Sequence, residues 1–447
     1  MALPKPLKYL RVVILTLLGV LGFLILIIPT LIFALYLRLS RPSQVPFHSH
    51  FFTRILYLAA AMFPYQWYHP AISFRSLLVP GQRCMVVRRD TWTAYWAGTL
   101  ETKKVPSETR GGKPTWKVSL KGVDVIMLYA HGGGFVFGDA EMYNNIFTSW
   151  VKHFEEVHGK KLRILSLDYA GDSSGANIAL NAIYALQESG ELPMPRAVLC
   201  ISPWIRLDAN EQTSPSMARN RYTDFMPPQV FKKIARTYAG SEQELHDPHV
   251  SPFYVKDHSQ FPEMAMVYSG SEVLRDDCAR FVDLFQKTGG RITYHYMAEG
   301  GLPHVYPLLR ELSGKTAVKD AERRLMEWVN LIVEENRLTR AMRLANGSGG
   351  SVSRSSYEPL HIVLEGHALD PHNQLGIDQQ QQWQRPSSEK RASVDQENEK
   401  EEPVDLKEVV VDGAQPGDKQ EVIEDFVSAV DDEEKLETLV VDDPPKH

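Results

Sequence analysis

Short apolar runs alternate with amphipathic runs from about residue 92 to residue 340. Unbroken apolar runs of about 4–8 residues are typical of buried strands, whereas apolar positions that recur every three or four residues are typical of helices. The runs predicted as strands are Val123–Ala130, Leu162–Tyr169, Arg196–Ile201, Met264–Ser269 and Ile292–Met297. The runs predicted as helices are Glu141–Val157, Gly175–Gln187, Pro228–Tyr238, Arg275–Thr288 and Thr316–Arg337. This alternation predicts an α/β domain whose mostly parallel sheet is flanked by helices.

The amino-terminal apolar run, Val12–Leu37, contains no charged residue. A helix of roughly 20 apolar residues is enough to cross a bilayer, and the cores of signal peptides are shorter, at about 7–15 residues. After a short segment at residues 1–11, the run therefore predicts an uncleaved transmembrane helix at residues 12–37, with a buried helix of a soluble protein as the alternative. Basic residues flank both ends, so the positive-inside rule only slightly favours a cytoplasmic amino terminus and a lumenal catalytic region.

The remaining boundaries follow from composition. We predict that residues 38–91 form a linker and a cap-type helical region, and that residues 92–340 form the α/β core. Residues 341–447 are rich in glycine, serine, glutamine and acidic side chains, a composition typical of disorder. Residues 400–447 alone carry 16 acidic and 5 basic side chains, a net charge of −11 in a chain whose total is −6. We expect this acidic tail to be solvated, and its partner is unknown.

Cysteine spacing and charge exclude several kinds of binding site. The three cysteines, Cys84, Cys200 and Cys278, are odd in number and lack the spacing of a disulfide framework or a zinc site. No basic patch indicates a nucleic-acid partner. The cysteine pattern therefore predicts neither a disulfide framework nor a zinc site.

Two glycine-framed motifs carry the candidate chemistry. Gly171-Asp172-Ser173-Ser174-Gly175 matches a nucleophile elbow, in which glycines permit the sharp turn between a strand and a helix. His131-Gly132-Gly133-Gly134-Phe135 follows the strand at Val123–Ala130 and matches an oxyanion-stabilising loop. Ser173 is the predicted nucleophile. The backbone N–H groups of Gly132, Gly133 and Ser174 are the predicted oxyanion donors, and His131 is predicted to orient the loop.

A serine hydroxyl needs a base to take its proton and an acid to hold that base. His304 is the predicted base, because it lies just after the last predicted strand, where a loop can reach the elbow. Glu272 is the predicted acid, since it is close to the end of the strand at Met264–Ser269, and Asp276 is the fallback. Either acid gives the chain order serine, acid, histidine that is typical of α/β-hydrolases.

These motifs resemble those of hormone-sensitive-lipase-like α/β-hydrolases, and in particular membrane-anchored arylacetamide deacetylases and fungal steryl acetyl hydrolases. The matching motifs lie between about Val123 and Trp328: HGGGF at His131, SLDY at Ser166, GDSSG at Gly171, SPW at Ser202, DPHVSP at Asp247, EVLRDD at Glu272 and LPHVY at Leu302. The resemblance implies an α/β-hydrolase fold with Ser173, His304 and Glu272 as the triad, and it implies neither a metal nor an organic cofactor. It also implies a helical cap from Phe51 to about Thr91, joined by Gln229–Tyr238.

The chain departs from that family just before the elbow. Family members place a further helix and a sheet strand between the Asp-Tyr strand and the elbow, whereas only Ala170 separates Tyr169 from Gly171 here. A skipped exon or a misdrawn gene model is our hypothesis for this loss. Either the strand at Leu162–Tyr169 moves across the sheet, or a hole remains with backbone groups unpaired. We expect the chain to be destabilised in both cases.

The leading functional prediction is a single-pass, membrane-anchored serine carboxylesterase of the endoplasmic reticulum. Its substrates would be acetyl or short-acyl esters of hydrophobic alcohols, such as sterol acetates or compounds that resemble arylacetamides. The alternative is a catalytically impaired hydrolase-like protein that acts only as a membrane-tethered binding or scaffold module. An acyltransferase, which passes the acyl group to an alcohol instead of water, is a third interpretation.

Overall fold

The computed structural model describes residues 5–40, 45–62, 85–88, 93–97, 101–105, 115–120, 122–135, 138, 142–167, 171–190 and 192–345. The helices are α1 (Lys5–Ser40), α2 (Phe47–Met62), α3 (Asn144–His158), α4 (Ser174–Ser189), α5 (Ser216–Arg219), α6 (Pro228–Ala239), α7 (Arg275–Lys287), α8 (Arg310–Ser313) and α9 (Lys315–Ala345). The strands are β1 (Met85–Arg88), β2 (Thr93–Ala97), β3 (Glu101–Val105), β4 (Thr115–Ser119), β5 (Val125–Ala130), β6 (Leu162–Leu167), β7 (Ala197–Ile201), β8 (Glu263–Ser269) and β9 (Ile292–Ala298). Short 3-10 turns lie at Glu244–His246, Pro252–Tyr254 and Tyr306–Leu308.

The strands and helices predicted between Val123 and Arg337 are all present, with ends that shift by a few residues. The largest difference is the last helix, α9, which continues to Ala345. Beyond Ala345, the predicted tail lies outside the described residues, as do the join at Tyr169–Ala170 and Cys84. The predicted alternation of strands and helices is therefore confirmed.

The core has two layers of side chains, one on each face of the sheet. Along β8, Met264, Met266 and Tyr268 pack on one face, with α4 and α7. Ala265 and Val267 pack on the other face, with α3 and α9. This alternation follows from the two-residue period of a strand, and it makes the domain a helix–sheet–helix sandwich.

The sheet is divided at the place where the family segment is missing. Strands β1, β2, β6 and β5 pair in that order, and β7, β8 and β9 pair separately. Pairing is parallel between β5 and β6 and between β7, β8 and β9, whereas β2 pairs antiparallel to both β1 and β6. Strand β6 has therefore not moved across β5, and of the two arrangements expected from the sequence the structure adopts the one with a hole.

A single residue crosses this hole among the residues that the structure describes. Asp172 makes an isolated parallel bridge with Ile201 of β7. On the other side, Gly171 lies so close to β5 that a Cβ there would be 2.6 Å from the carbonyl oxygen of Ala130. The remainder of β5 has a ladder only with β6, and its Leu128 side chain is 42% exposed. The apolar strand β5 thus borders the hole as an edge strand, which is uncommon for a strand of this composition.

The predicted transmembrane helix is wrong. Residues 12–37 do belong to one helix, α1, but no helix within the described part of the chain is long and apolar enough to cross a membrane. The end of α1 packs against protein, since Ala34 and Leu37 are buried and the rings of Phe33 and Tyr222 are 5.7 Å apart. An unbroken apolar run does not by itself distinguish a lipid-facing helix from one that packs on its own chain.

Part of the predicted cap region is described. Residues 63–84 lie outside the described residues, but α2 forms a helix just before them, and α6 covers the predicted Gln229–Tyr238 segment. The Arg54 side chain of α2 is buried and donates hydrogen bonds to the backbone carbonyls of Arg221 and Asp224. The amino-terminal helices are therefore tied to the loop that precedes α6.

Hydrogen exchange should report the divided sheet directly. Strand β8 is fully buried and paired on both sides, whereas β5 is paired on one side only. We expect the peptide that covers Val125–Ala130 to exchange its amides much faster than the peptide that covers Glu263–Ser269, because unpaired edge amides open readily. Exchange mass spectrometry of the full chain measures both peptides at once. Equal protection of the two would contradict an open edge at β5.

Candidate active site

Ser173 occupies a strained turn between the short bridge at Asp172 and helix α4. Its backbone has φ 52° and ψ −116°, a region that residues with a side chain rarely adopt. The turn is held on both sides, because the Ser173 N–H donates to the Ile201 carbonyl at 3.0 Å and the Ser173 carbonyl accepts from the Trp204 N–H at 2.9 Å. Strain of this kind persists only where neighbouring structure fixes it, as at a nucleophile elbow.

The predicted base meets the predicted nucleophile. His304 lies in the loop after β9, and its Nε2 is 2.8 Å from Ser173 Oγ. Both side chains are buried. Since the sequence separates them by 131 positions, this contact is a product of the fold. The distance is within the range of a hydrogen bond between a nucleophile and its general base.

The structure also distinguishes the two candidate acids. Glu272 Oε2 is 3.5 Å from His304 Nδ1, and the Glu272 side chain is fully buried. Asp276, the fallback acid, accepts from the Ser216 N–H and pairs with Arg219 and Arg275 instead. The structure therefore brings Glu272 to the base and directs Asp276 to helix α5.

Ser202 fixes the acid and the base relative to each other. Its hydroxyl donates to Glu272 Oε2 at 2.7 Å and accepts from the Val305 N–H at 3.1 Å, one residue beyond His304. Ser202 is buried and has φ 46°, a second strained residue at the end of β7. Ser202 belongs to the SPW motif, but its role could not be predicted from the sequence because its partners are distant along the chain.

The glycine loop after β5 approaches the elbow. His131 Nδ1 is 2.7 Å from the Gly132 carbonyl, and since a carbonyl only accepts, the ring nitrogen donates this hydrogen bond within the loop. The Gly132 N–H donates to Asp172 Oδ1 at 2.7 Å, so this predicted oxyanion donor is engaged by a carboxylate. That leaves the backbone N–H groups of Gly133 and Ser174 as the predicted donors.

Asp172, within the elbow motif, is the residue of the site that sequence reasoning missed most clearly. Its buried carboxylate accepts from the Gly132 N–H and from the hydroxyls of Tyr129, at 2.8 Å, and Tyr143, at 3.0 Å. A Cβ at Gly132 would overlap this carboxylate, which explains why the loop has a glycine there. Asp172 thus joins the elbow, the oxyanion loop and strand β5.

Buried charges set the protonation of the base. Burial alone lowers the pKa of His304, but the Glu272 carboxylate, and more weakly those of Asp224 and Asp172, outweigh it, and the net pKa is raised above 6.5. Burial raises the pKa of Asp172, although its three donors oppose that shift. The imidazolium that forms when His304 takes a proton is therefore stabilised by the surrounding carboxylates.

Aromatic rings enclose the base and the glycine loop. Phe231 and Phe225 lie 6.3 Å and 6.0 Å from the His304 ring, centroid to centroid. Trp204 contacts Phe231 at 4.8 Å, and it contacts Phe135 of the glycine loop at 5.5 Å. These rings exclude water from the reacting groups, and their faces suit an apolar substrate.

No group of three or more histidine, cysteine, aspartate or glutamate side chains in the described part of the chain could hold a metal ion. Cys200 and Cys278 are free and buried. Burial raises the pKa of Cys200 to about 12, so this thiol stays protonated at neutral pH.

Removal of the Asp172 carboxylate should destabilise the fold more than removal of any one of its donors. Asp172→Ala leaves three buried donors without a partner, and each costs about 1–3 kcal/mol of unfolding free energy. Tyr143→Phe removes one donor and should cost about 1 kcal/mol. As a control, Asp320→Ala removes a half-exposed carboxylate paired with Arg324 and should cost less than about 1 kcal/mol. Urea unfolding measures all three, and an Asp172→Ala loss no larger than the control would refute a bridging role.

Comparison with known proteins supports this assignment of the fold. Residues 162–308 match a family described as having the alpha/beta hydrolase fold. An acetyl-hydrolase of Streptomyces hygroscopicus is 31% identical over 156 residues, which are 34% of this chain and 49% of that protein. Esterase LipI of Mycobacterium tuberculosis is 24% identical over 206 residues, 38% of this chain and 62% of that protein. The chain thus spans about half to three-fifths of the length of these curated relatives.

Solved structures overlap a larger share of the chain at lower identity. A hormone-sensitive lipase from a metagenome library is 18% identical, with a TM-score of 0.48, and the match covers 66% of this chain and all of that one. A mutant of the esterase E40 is 21% identical, with a TM-score of 0.45, and the match covers 61% of this chain and 93% of that one. The family match assigns the α/β-hydrolase fold to residues 162–308, which confirms the fold that the sequence motifs implied.

Proposed function

We propose that this protein is a serine ester hydrolase of the carboxylesterase type. The observation that carries the proposal is the 2.8 Å contact between His304 Nε2 and Ser173 Oγ at a strained elbow. A histidine within hydrogen-bond reach of a serine, with a carboxylate behind it, is the arrangement that activates a hydroxyl for acyl transfer. The names of the two curated relatives, an acetyl-hydrolase and an esterase, agree with this chemistry.

In the proposed reaction, Ser173 Oγ attacks the ester carbonyl while His304 takes its proton. His304 then donates that proton to the departing alcohol, which leaves an acyl-serine that water hydrolyses with the same base. Glu272 holds the Nδ1 side of the imidazole and stabilises its positive charge. The N–H groups of Gly133 and Ser174 bind the oxyanion that develops on the carbonyl oxygen.

We propose acetyl or short-acyl esters of hydrophobic alcohols as the substrate class, with sterol acetates and arylacetamide-like compounds as the specific candidates. The support is the set of rings around the site, formed by Phe135, Trp204, Phe225 and Phe231. An apolar enclosure favours an apolar substrate. The location in the endoplasmic reticulum was inferred from the anchor and from the family resemblance, and it stays a prediction.

A fluorophosphonate probe tests the proposal because it reacts only with an activated serine. We expect the full chain to be labelled at Ser173, and Ser173→Ala to lose both labelling and turnover of p-nitrophenyl acetate. Ser241→Ala, at a serine in the surface turn after α6, is the matched control and should be labelled normally. A folded chain that the probe does not label would refute the esterase and favour the alternative, a binding or scaffold protein.

Product analysis with added alcohols separates hydrolysis from acyl transfer.

The pH dependence of turnover should follow His304. The base must be neutral to accept the serine proton, so kcat/KM rises as pH passes through the pKa of His304 in the free enzyme. Since neighbouring carboxylates hold this pKa above 6.5, we expect the midpoint of the acid limb to lie above pH 6.5. A profile of kcat/KM for p-nitrophenyl acetate between pH 5 and 9, at constant ionic strength, measures it. A midpoint clearly below 6.5 would contradict the electrostatics described above.

A further inference from the structure

A second buried carboxylate stands beside the acid and the base. Asp224 is fully buried, lies between α5 and α6, and belongs to none of the motifs that indicate the triad. We propose that Asp224 is a positioning residue that holds the loop of Glu272 and the loop of His304 against each other. This inference rests on the proposed function, because it assigns a role within the same reaction.

Asp224 contacts both loops through one carboxylate. Its Oδ2 accepts from the N–H of Val273 at 2.8 Å, next to the acid. Its Oδ1 accepts from the N–H of Phe225 at 2.7 Å and, at a longer 3.4 Å, from the N–H of His304 itself. Each oxygen is thus directed to a different loop, and a shift of the carboxylate would change the distance between the acid and the base.

The turn that carries Asp224 binds the backbone of the acid loop residue by residue. The Asn220 amide donates to the carbonyls of Gly270, at 3.0 Å, and Glu272, at 2.8 Å. The Thr223 hydroxyl donates to the Ser271 carbonyl at 2.7 Å. These uncharged contacts fix the acid loop alone. Asp224, in contrast, also accepts a hydrogen bond from the N–H of His304, the predicted base.

The backbone of Asp224 is held in turn by the amino-terminal region. Arg54 of α2 donates to the Asp224 carbonyl, and its guanidinium also donates to the Arg221 carbonyl at 3.0 Å. The Arg54 side chain is 5% exposed. Burial lowers the pKa of Arg54, and the negative charge of Asp224 opposes that shift. Helix α2 therefore supports the turn through two of the turn's backbone carbonyls.

The pKa of His304 provides a specific test of this role, because it depends on the charges around the imidazole. The titratable groups that raise the pKa of His304 are Glu272, Asp224 and, farther away, Asp172. Burial raises the pKa of Asp224, while His304 opposes that rise. When the carboxylate at position 224 is replaced by an amide, the imidazolium loses one of its stabilising charges, so the pKa of His304 should fall.

The experiment titrates His304 by NMR in the full chain with labelled histidine rings, and a His304→Asn variant identifies the signal. We expect Asp224→Asn to lower the pKa of His304 and to lower kcat on the order of tenfold to a hundredfold, the cost of a small misplacement of reacting groups. Thr223→Val is the matched control, since it removes an uncharged contact from the same turn. It should leave the pKa of His304 unchanged. An unchanged pKa in Asp224→Asn would overturn the proposal.

A second variant keeps the test decisive if Asp224→Asn does not fold. Asp224→Glu retains the charge but displaces it by one methylene, so kcat should fall while the pKa of His304 stays raised. Wild-type kcat in that variant would overturn the positioning role. The titration reads His304 whether or not the chain hydrolyses an ester. Failure of this inference is therefore distinguishable from failure of the proposed function, which fluorophosphonate labelling of Ser173 decides.

Discussion

The buried carboxylate of Asp172 is the interaction on which the rest of the structure depends. Its backbone bridges to Ile201 of β7, while its side chain binds Tyr129 of β5 and the N–H of Gly132. Asp172 thus links the two parts of the sheet, and the elbow to the glycine loop, by hydrogen bonds, beside the apolar cluster with α3 and α9 that both parts of the sheet share. A buried charge is stable only when it is well supplied with donors, and the three hydrogen bonds to this carboxylate meet that requirement.

This dependence follows from the short connection between β6 and the elbow. In a continuous parallel sheet, a full ladder of backbone hydrogen bonds would join β5 to the strand that carries the nucleophile. Here, in the described part of the chain, the backbone of Asp172 bridges to β7, while its carboxylate accepts a hydrogen bond from Tyr129 of β5. Leu128 of β5 is 42% exposed. Ser173 and His304 nevertheless meet, because Ser173 donates a hydrogen bond to the Ile201 carbonyl and accepts one from the Trp204 N–H, on the side of the sheet that is intact.

The sequence predicted the parts of the site that local motifs encode. Ser173 is framed by glycines, and His304 and Glu272 follow strands in the chain order of the fold, so each could be placed by position alone. Ser202 and Asp224 could not, because their partners lie 70 or more positions and 49 or more positions away, respectively, apart from the contact of Asp224 with its neighbour Phe225. The membrane anchor was predicted wrongly for a related reason. An apolar run indicates that a helix is shielded from water, but it does not indicate whether lipid or the rest of the protein shields it.

Three buried carboxylates surround the base, each from a different loop. Asp172 belongs to the elbow, Glu272 to the loop after β8, and Asp224 to the turn before α6. Each carboxylate is held by its own donors: tyrosine hydroxyls and a glycine N–H for Asp172, Ser202 for Glu272, and backbone N–H groups for Asp224. Fixed negative charge around a neutral histidine is of little use until that histidine takes a proton. In the proposed reaction, the site is therefore complementary to the imidazolium of the transition state more than to the neutral histidine, as catalysis by preorganised electrostatics requires.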